Sequence, residues 1–348
     1  MPQRKRRVGA SVTILDVARH AGVSPMTASR VINQQPNVGQ AMRERVLASV
    51  EALGYRPNLA GRSLRTSGTA RIGVLYSNPS AAYLNQFMLG VLEQSSSHGS
   101  QVLVEKCGGL RSQRAAVQRL RDAAVDGIIL PPPLCDSRRM LQELEDAGIP
   151  VVAVAGGAPT GAAASVRIDD YAGARAMVRH LLDLGHREIA IIKGDPRHAP
   201  AGLRAAAFFD TMAEAGIEVP PEHVADGLFT YRSGLAAAAQ LLRLRRRPSA
   251  IFSSNDDMAA ATVAVAHGLG LEVPADLTIT GFDDTPVATT VWPELTTIHQ
   301  PVTAMGRSAV SLVLEQVRAR RHARPARQVH QVMKHVLVRR QSSAPPGG

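Results

Sequence analysis

The sequence predicts a two-lobed α/β protein of doubly wound parallel sheets, preceded by a small N-terminal all-α headpiece. Three observations carry this reading. Within residues 1–66, eleven Lys and Arg stand against three acids, so +8 of the formal net charge of +11 sits in the first fifth of the 348-residue chain. Residues 12–54 show apolar spacing of helical period, broken by turn residues. From Arg71 onward, short β-branched runs alternate with amphipathic stretches of helical length, the pattern of right-handed βαβ units.

Three short helices account for the headpiece. Thr13 N-caps the first, with Asp16 at its third position in a capping-box-like arrangement, and Ile14, Val17, Ala18 and Ala21 fall on one face. Gly22 ends it. Ser24 caps the second helix, and Pro25 takes its first position, where a missing N–H costs nothing. Val31 and Ile32 are its inward face. The third helix spans 40–53, with Val46, Leu47, Val50 and Leu53 as its stripe and Gly54 as its stop. A linker follows over 58–70. Its single helical turn or two, from Asn58 to Arg65, is too short to be stable alone and is expected to order only against DNA or a partner helix.

The core occupies residues 71–340. Strands are expected over 72–76, 101–105, 127–130, 150–154, 188–192, 250–253 and 278–281, with helices over 111–124, 171–184, 202–215 and 256–268. This many units fits two lobes better than one sheet: one lobe of about 71–168 and 299–325, the other of about 169–298 and 326–340. In such folds ligands lie at the carboxyl ends of the strands, here the mouth between lobes. Residues 318–327 read as a solvated basic loop, residues 341–348 as a disordered tail, and Trp292 as packing at the cleft rim or between lobes.

Several function classes are excluded. No apolar run approaches the roughly 18 residues that a membrane span needs. The basic residues 1–7 are not followed by the apolar stretch of a secretory signal. Cys107 and Cys135 have no metal or redox spacing and read as packing residues, which leaves the cytoplasm as the default location. Gly268-Leu-Gly270 lacks the third glycine of a dinucleotide site, and hydrolase, zinc-protease and phosphate-loop signatures are absent. His180, His186, His198, His267 and His299 show no metal spacing and read as surface or packing residues. No enzyme activity, cofactor or metal is expected.

The run Val12-Thr-Ile-Leu-Asp-Val-Ala-Arg-His-Ala-Gly-Val-Ser-Pro-Met-Thr-Ala-Ser-Arg-Val-Ile-Asn33 closely resembles the DNA-binding headpiece of the lactose/galactose repressor family. The likeness continues through Leu53-Gly-Tyr-Arg-Pro-Asn58, Arg62-Ser-Leu64, Gly281-Phe-Asp-Asp284 and Trp292-Pro-Glu-Leu-Thr-Thr-Ile-His-Gln-Pro301, and so covers residues 12 to about 340. It implies a helix-turn-helix over 1–57 and a periplasmic-binding-protein-like core. It also implies a homodimer that binds palindromic operator DNA, and a small effector, a sugar or sugar derivative, that sets operator affinity. Pro25 and Met26 match the family's main base-reading pair. Neither makes bidentate hydrogen bonds, so apolar contact with a thymine methyl and DNA shape would do the reading, leaving Ser29 and above all Arg30 the polar contacts. Thr13, Ser24, Thr27, Asn33, Asn37 and Asn58 are candidate phosphate or hinge contacts, which position without specifying. Leu64 matches the hinge leucine that wedges into the central base step, so a central C–G step is expected. Gly61 departs from the family's usual alanine, at about 1 kcal/mol of helix stability.

By the same resemblance Arg204, Asn255 and Asp283 match the residues that hold the effector, and Phe229 the aromatic that covers it. A forked guanidinium and a carboxylate suit vicinal hydroxyls. Ser77, Asn78 and Tyr83 after the first strand, and Asp257 beside Asn255, are further candidates. Pro200 stands near a position where relatives often carry a ligand-contacting serine. An activator stays open beside a repressor, because that depends on where the operator lies; a sugar-binding protein without a regulatory role is opposed by the headpiece.

Overall fold

The computed structural model describes residues 14–32, 39–53, 69–108, 110–157, 163–324 and 328–347, in two compact units, Met1–Thr69 and Ala70–Gly348. The first unit is built on α1 (Ile14–His20), α2 (Pro25–Ile32) and α3 (Gln40–Ala52). Val17, Ala18, Ala21, Ala28, Val31 and Val46 are its buried core, with Ile14, Ile32, Val50 and Leu53 packed at the edge. Gly22 turns the chain after α1 at φ +64°, a backbone that costs glycine nothing. Leu47 departs from expectation, being 50% exposed. Ser49 is buried instead, its hydroxyl donating to the Arg45 carbonyl at 2.9 Å and lying 3.0 Å from His20 Nδ1. Thr13, Asn33, Asn37, Asn58, Gly61 and Leu64 lie outside the described residues, as does all of the linker but its last two residues.

The second unit opens with β1 (Arg71–Tyr76), α4 (Ala81–Ser97), β2 (Gln101–Lys106), α5 (Leu110–Asp122), β3 (Gly127–Leu130), α6 (Arg138–Asp146), β4 (Val151–Val154) and β5 (Ala164–Ile168). It continues with α7 (Asp170–Asp183), β6 (Ile189–Lys193), α8 (Ala199–Glu214), β7 (Val224–Asp226), α9 (Tyr231–Leu242), β8 (Ala250–Ser253), α10 (Asp256–Gly268), β9 (Thr278–Thr280), α11 (Val287–Thr290) and β10 (Thr297–His299). It closes with α12 (Val302–Arg321), β11 (His330–Met333) and β12 (Val336–Val338). A parallel six-stranded sheet in the order β11-β5-β4-β3-β1-β2 forms the first lobe. A parallel four-stranded sheet, β7-β6-β8-β9, forms the second. The central strands β3 and β8 are buried throughout, which is why Gly-Ile-Ile-Leu and Ala-Ile-Phe-Ser read as unbroken apolar runs. The edge strand β2 alternates instead, with Val104 facing out.

Four expectations are corrected here. The span 326–340 does not all belong to the second lobe, because β11 pairs in parallel with β5 of the first, His330 opposite Ser165. Residues Arg318 to Arg321 are the last turn of α12 and not loop, and Arg321 bonds Asp126 at 2.8 Å. The tail is held: Ser342 is fully buried, its backbone carbonyl accepts from Ile279 N–H at 2.9 Å, and its hydroxyl donates to the Ile279 carbonyl at 2.5 Å. Trp292 is 74% exposed and borders His267, Leu271 and Pro293, away from the residues that line the cleft. Cys107 and Cys135 are buried and free, as packing residues are. Among the described residues no helix is long and apolar enough to cross a membrane, and no group of three or more His, Cys, Asp or Glu could hold a metal.

Candidate functional site

In the headpiece, Ser24 caps α2 as its sequence requires: the Thr27 N–H donates to Ser24 Oγ at 3.1 Å, and the two hydroxyls lie 2.8 Å apart. The cap fixes the first turn of α2 with Pro25, Met26 and Arg30 exposed, and Thr27 and Ser29 half-buried. Met26 is 62% exposed.

In the core, one cleft gathers residues that follow strand after strand. Asn78 and Ser80 follow β1, Pro132 follows β3 and Ala155 follows β4. On the second lobe His198, Pro200 and Arg204 follow β6, Phe229 follows β7 and Asn255 follows β8, while Asp283 and Gln300 stand where the chain crosses between lobes. The carboxyl ends of two parallel sheets thus face one another, as the topology demands. Of the sequence-predicted effector residues, the structure brings together Asn78, Tyr83, Arg204, Phe229, Asn255 and Asp283. Ser77 and Asp257 do not line the cleft. Asp257 instead accepts from Ser80 Oγ at 2.6 Å, a bond that joins the two lobes.

Arg204, 5% exposed, organises the floor. Its Nε and Nη2 reach Asp170 Oδ1 at 2.9 and 2.8 Å, and its Nη1 donates to the Ser254 carbonyl at 2.5 Å and to Asp283 Oδ1 at 3.4 Å. The guanidinium plane stacks on Phe282, its carbon 3.6 Å from the ring centre. Gln300 Nε2 donates to Asp283 at 2.6 Å. Burial pushes the Asp283 carboxyl up to about 7 against the opposing pull of Arg204 and Gln300. Burial likewise raises the Tyr83 phenol well above its ordinary range, with the Asp283 charge adding to it, and the Tyr83 hydroxyl has no partner. Asn255 caps α10, accepting from Met258 N–H at 3.0 Å, while its Nδ2 donates to the Phe229 carbonyl at 3.2 Å.

Phe229 and Asp283 both hold left-handed backbone, at φ +58° and +112°. Such non-glycine outliers persist where the surroundings over-determine them, and they gather at ligand sites. The Phe229 ring has room only because residue 194 is glycine, since a Cβ there would stand 2.0 Å from the ring. His198, assigned no role from its spacing, stacks on Phe229 with ring centres 5.3 Å apart and planes 22° from parallel. Burial pushes its imidazole toward the neutral form. Ser80, Pro132, Ala155 and His198 carry no sequence motif, and Gln300 lies within the Trp292–Pro301 run without having been singled out; their shared signal is a place just past a strand end.

Comparison with known proteins agrees with both parts. The family described as bacterial regulatory proteins, lacI family, matches residues 13–58, and the periplasmic binding protein-like domain matches residues 178–343. The HTH-type transcriptional repressor PurR of Serratia proteamaculans is 35% identical over 323 residues, 91% of this chain and 94% of that protein. The chain belongs to the LacI family. Among solved structures, the lac repressor dimer bound to operator and the anti-inducer ONPF superposes with a TM-score of 0.82 at 29% identity, covering 96% of this chain and all of that one. The transcriptional regulator CelR in complex with cellobiose superposes at 0.72, with 29% identity over 95% of this chain and all of that one. As a LacI-family member the protein is a DNA-binding transcriptional repressor and not an enzyme. It acts as a dimer on operator DNA and answers to a small-molecule effector.

Proposed function

We propose that this LacI-family repressor governs sugar-utilisation genes, and that a small sugar or sugar derivative in the interlobe cleft sets its operator affinity. The observation that carries the reading is the cleft itself, whose lining holds Asp283 and Gln300 together with the stacked rings of His198 and Phe229. Carboxylate and amide oxygens bind hydroxyls and an aromatic face covers the apolar side of a sugar ring. The cellobiose held by CelR supports the same ligand class.

The protein works in the cytoplasm. Pro25, Met26, Ser29 and Arg30 read bases in the major groove; Thr13, Ser24, Thr27, Asn33 and Asn37 touch phosphates. Asn58 begins the hinge, and Leu64 wedges into a central C–G step. Effector binding shifts one lobe on the other, alters the spacing of the two hinges in the dimer, and changes operator affinity by about 5–150-fold for a coupling of about 1–3 kcal/mol. Each headpiece reads half a site, so the dimer grips a palindrome.

Selection of bound sites from random duplex DNA with the full-length protein tests this reading. A palindrome with a central C–G step is expected, and a neutral sugar should change its affinity. Log affinity should also fall linearly with log salt as phosphates are neutralised. No enriched motif, with sugars present or absent, would remove the reading.

A further inference from the structure

The charge of the effector follows from the polar atoms of the cleft, once the sugar reading above is granted. Arg204 is the one cation lining the cleft among the described residues, and its charge is already neutralised. Three of its donor contacts fall on Asp170 and Asp283, and a fourth on the Ser254 carbonyl. Two buried carboxylates therefore answer one guanidinium, and Asp257 adds a third acid at the margin, bonded to Ser80. His198 is held toward its neutral form by burial. Arg197, next to it in the chain, is folded back on Asp195 through bonds of 2.6 to 3.2 Å.

Two of the acceptors in the cleft are left to a ligand. Gln300, 2% exposed, spends its amide N–H on Asp283 and leaves Oε1 without a partner. Both side-chain bonds to Asp283 fall on Oδ1. The buried Tyr83 hydroxyl is unpartnered and can either donate or accept. We propose that the cleft selects an uncharged, hydroxyl-rich sugar and rejects the phosphorylated and carboxylated forms of the same sugar. A neutral sugar donates its hydroxyls to Asp283 and Gln300 and lays an apolar face near the His198–Phe229 pair. A phosphate or carboxylate would lose its hydration beside the buried Asp170 and Asp283, which already take up Arg204, the one cation lining the cleft among the described residues.

The test is thermal denaturation of the full-length protein with matched sets of hexoses, their 6-phosphates and their uronates at equal ionic strength, with cellobiose and adenine alongside. Stabilisation is expected from neutral sugar alone, with each charged counterpart at least 100-fold weaker. A 6-phosphate or uronate that binds as tightly as its neutral parent would overturn the charge rule and leave the sugar reading standing. Stabilisation by adenine alone, or by no member of the set, would overturn the sugar reading and this inference with it.

Discussion

The carboxylate of Asp136, in the first lobe, accepts a hydrogen bond at 3.0 Å from the backbone N–H of Ala199, the first residue of α8 in the second lobe. The N-cap position of α8 is His198, whose side chain makes no capping bond, so the cap comes from across the cleft. The other oxygen of Asp136 accepts from Gly157 N–H at 2.9 Å. With the Ser80–Asp257 bond this makes two latches between lobes, and each uses a helix N-terminus, where a carboxylate is favoured.

Asp136→Ala should therefore cost about 1 kcal/mol, the usual loss of a capping side chain, and lower the melting temperature by roughly 2–4 °C. It should also raise the radius of gyration seen by small-angle scattering, as the lobes part. Asp136→Asn keeps an acceptor and should restore most of both. An unchanged radius in the alanine variant would show that the bond does not hold the lobes.

Asp283 gives stability a pH dependence of defined sign. The folded protein keeps its proton up to about pH 7, while the ordinary value for the unfolded chain is 3.8, so stability falls as pH rises through that interval and levels off above it. Between pH 4.5 and 7.5 the wild type should lose ground steadily to Asp283→Asn in urea denaturation. Parallel curves would mean that the carboxyl is ionised throughout.

Arg204 and Asp170 should behave as a coupled buried pair. Arg204→Ala leaves the Asp170 carboxylate without its partner and should cost about 3–5 kcal/mol. Adding Asp170→Asn should recover part of that, so the double variant is more stable than the two single losses added together. Additive losses would show that the ion pair is not what holds the cleft floor.

The hinge offers a prediction from sequence. Gly61→Ala should tighten operator binding by favouring the helix by about 1 kcal/mol, and Leu64→Ala should loosen it by removing the wedge. Anisotropy titration with a palindromic operator measures both. Equal or weaker binding by the alanine variant at 61 would count against an ordering hinge.

What could be read in advance, and what could not, follows the range of the interactions. The Ser24 cap, the Pro25 start of α2 and the buried runs of β3 and β8 are signals spanning a few residues, and each stands where the sequence puts it. Arg204, Asn255 and Asp283 were legible through the family pattern, and the fold brings them into one cleft. His198 was not legible, because its role depends on Phe229, which the fold carries to it from the next strand's end. Leu47 is exposed and Ser49 buried because positions 46, 49, 50 and 53 share one helical face; an apolar count favours the leucine over the serine, but the period does not. The short strands β11 and β12 owe their existence to partners far back in the chain, Ala164–Ile168 and Thr297–His299.

That last dependence has a consequence for synthesis. Residues 330–333 supply an edge strand of the first sheet, and Ser342 lies buried against β9 of the second. Domains usually fold in order as the chain leaves the ribosome. Here the first sheet lacks its edge strand until residues 330–333 have emerged, long after β5 at 164–168, so a nascent chain shows an open edge beside β5 while the whole second lobe is being made. A stalled or prematurely stopped message would yield no half-working core. It would yield open sheet edges for chaperones and proteases to find.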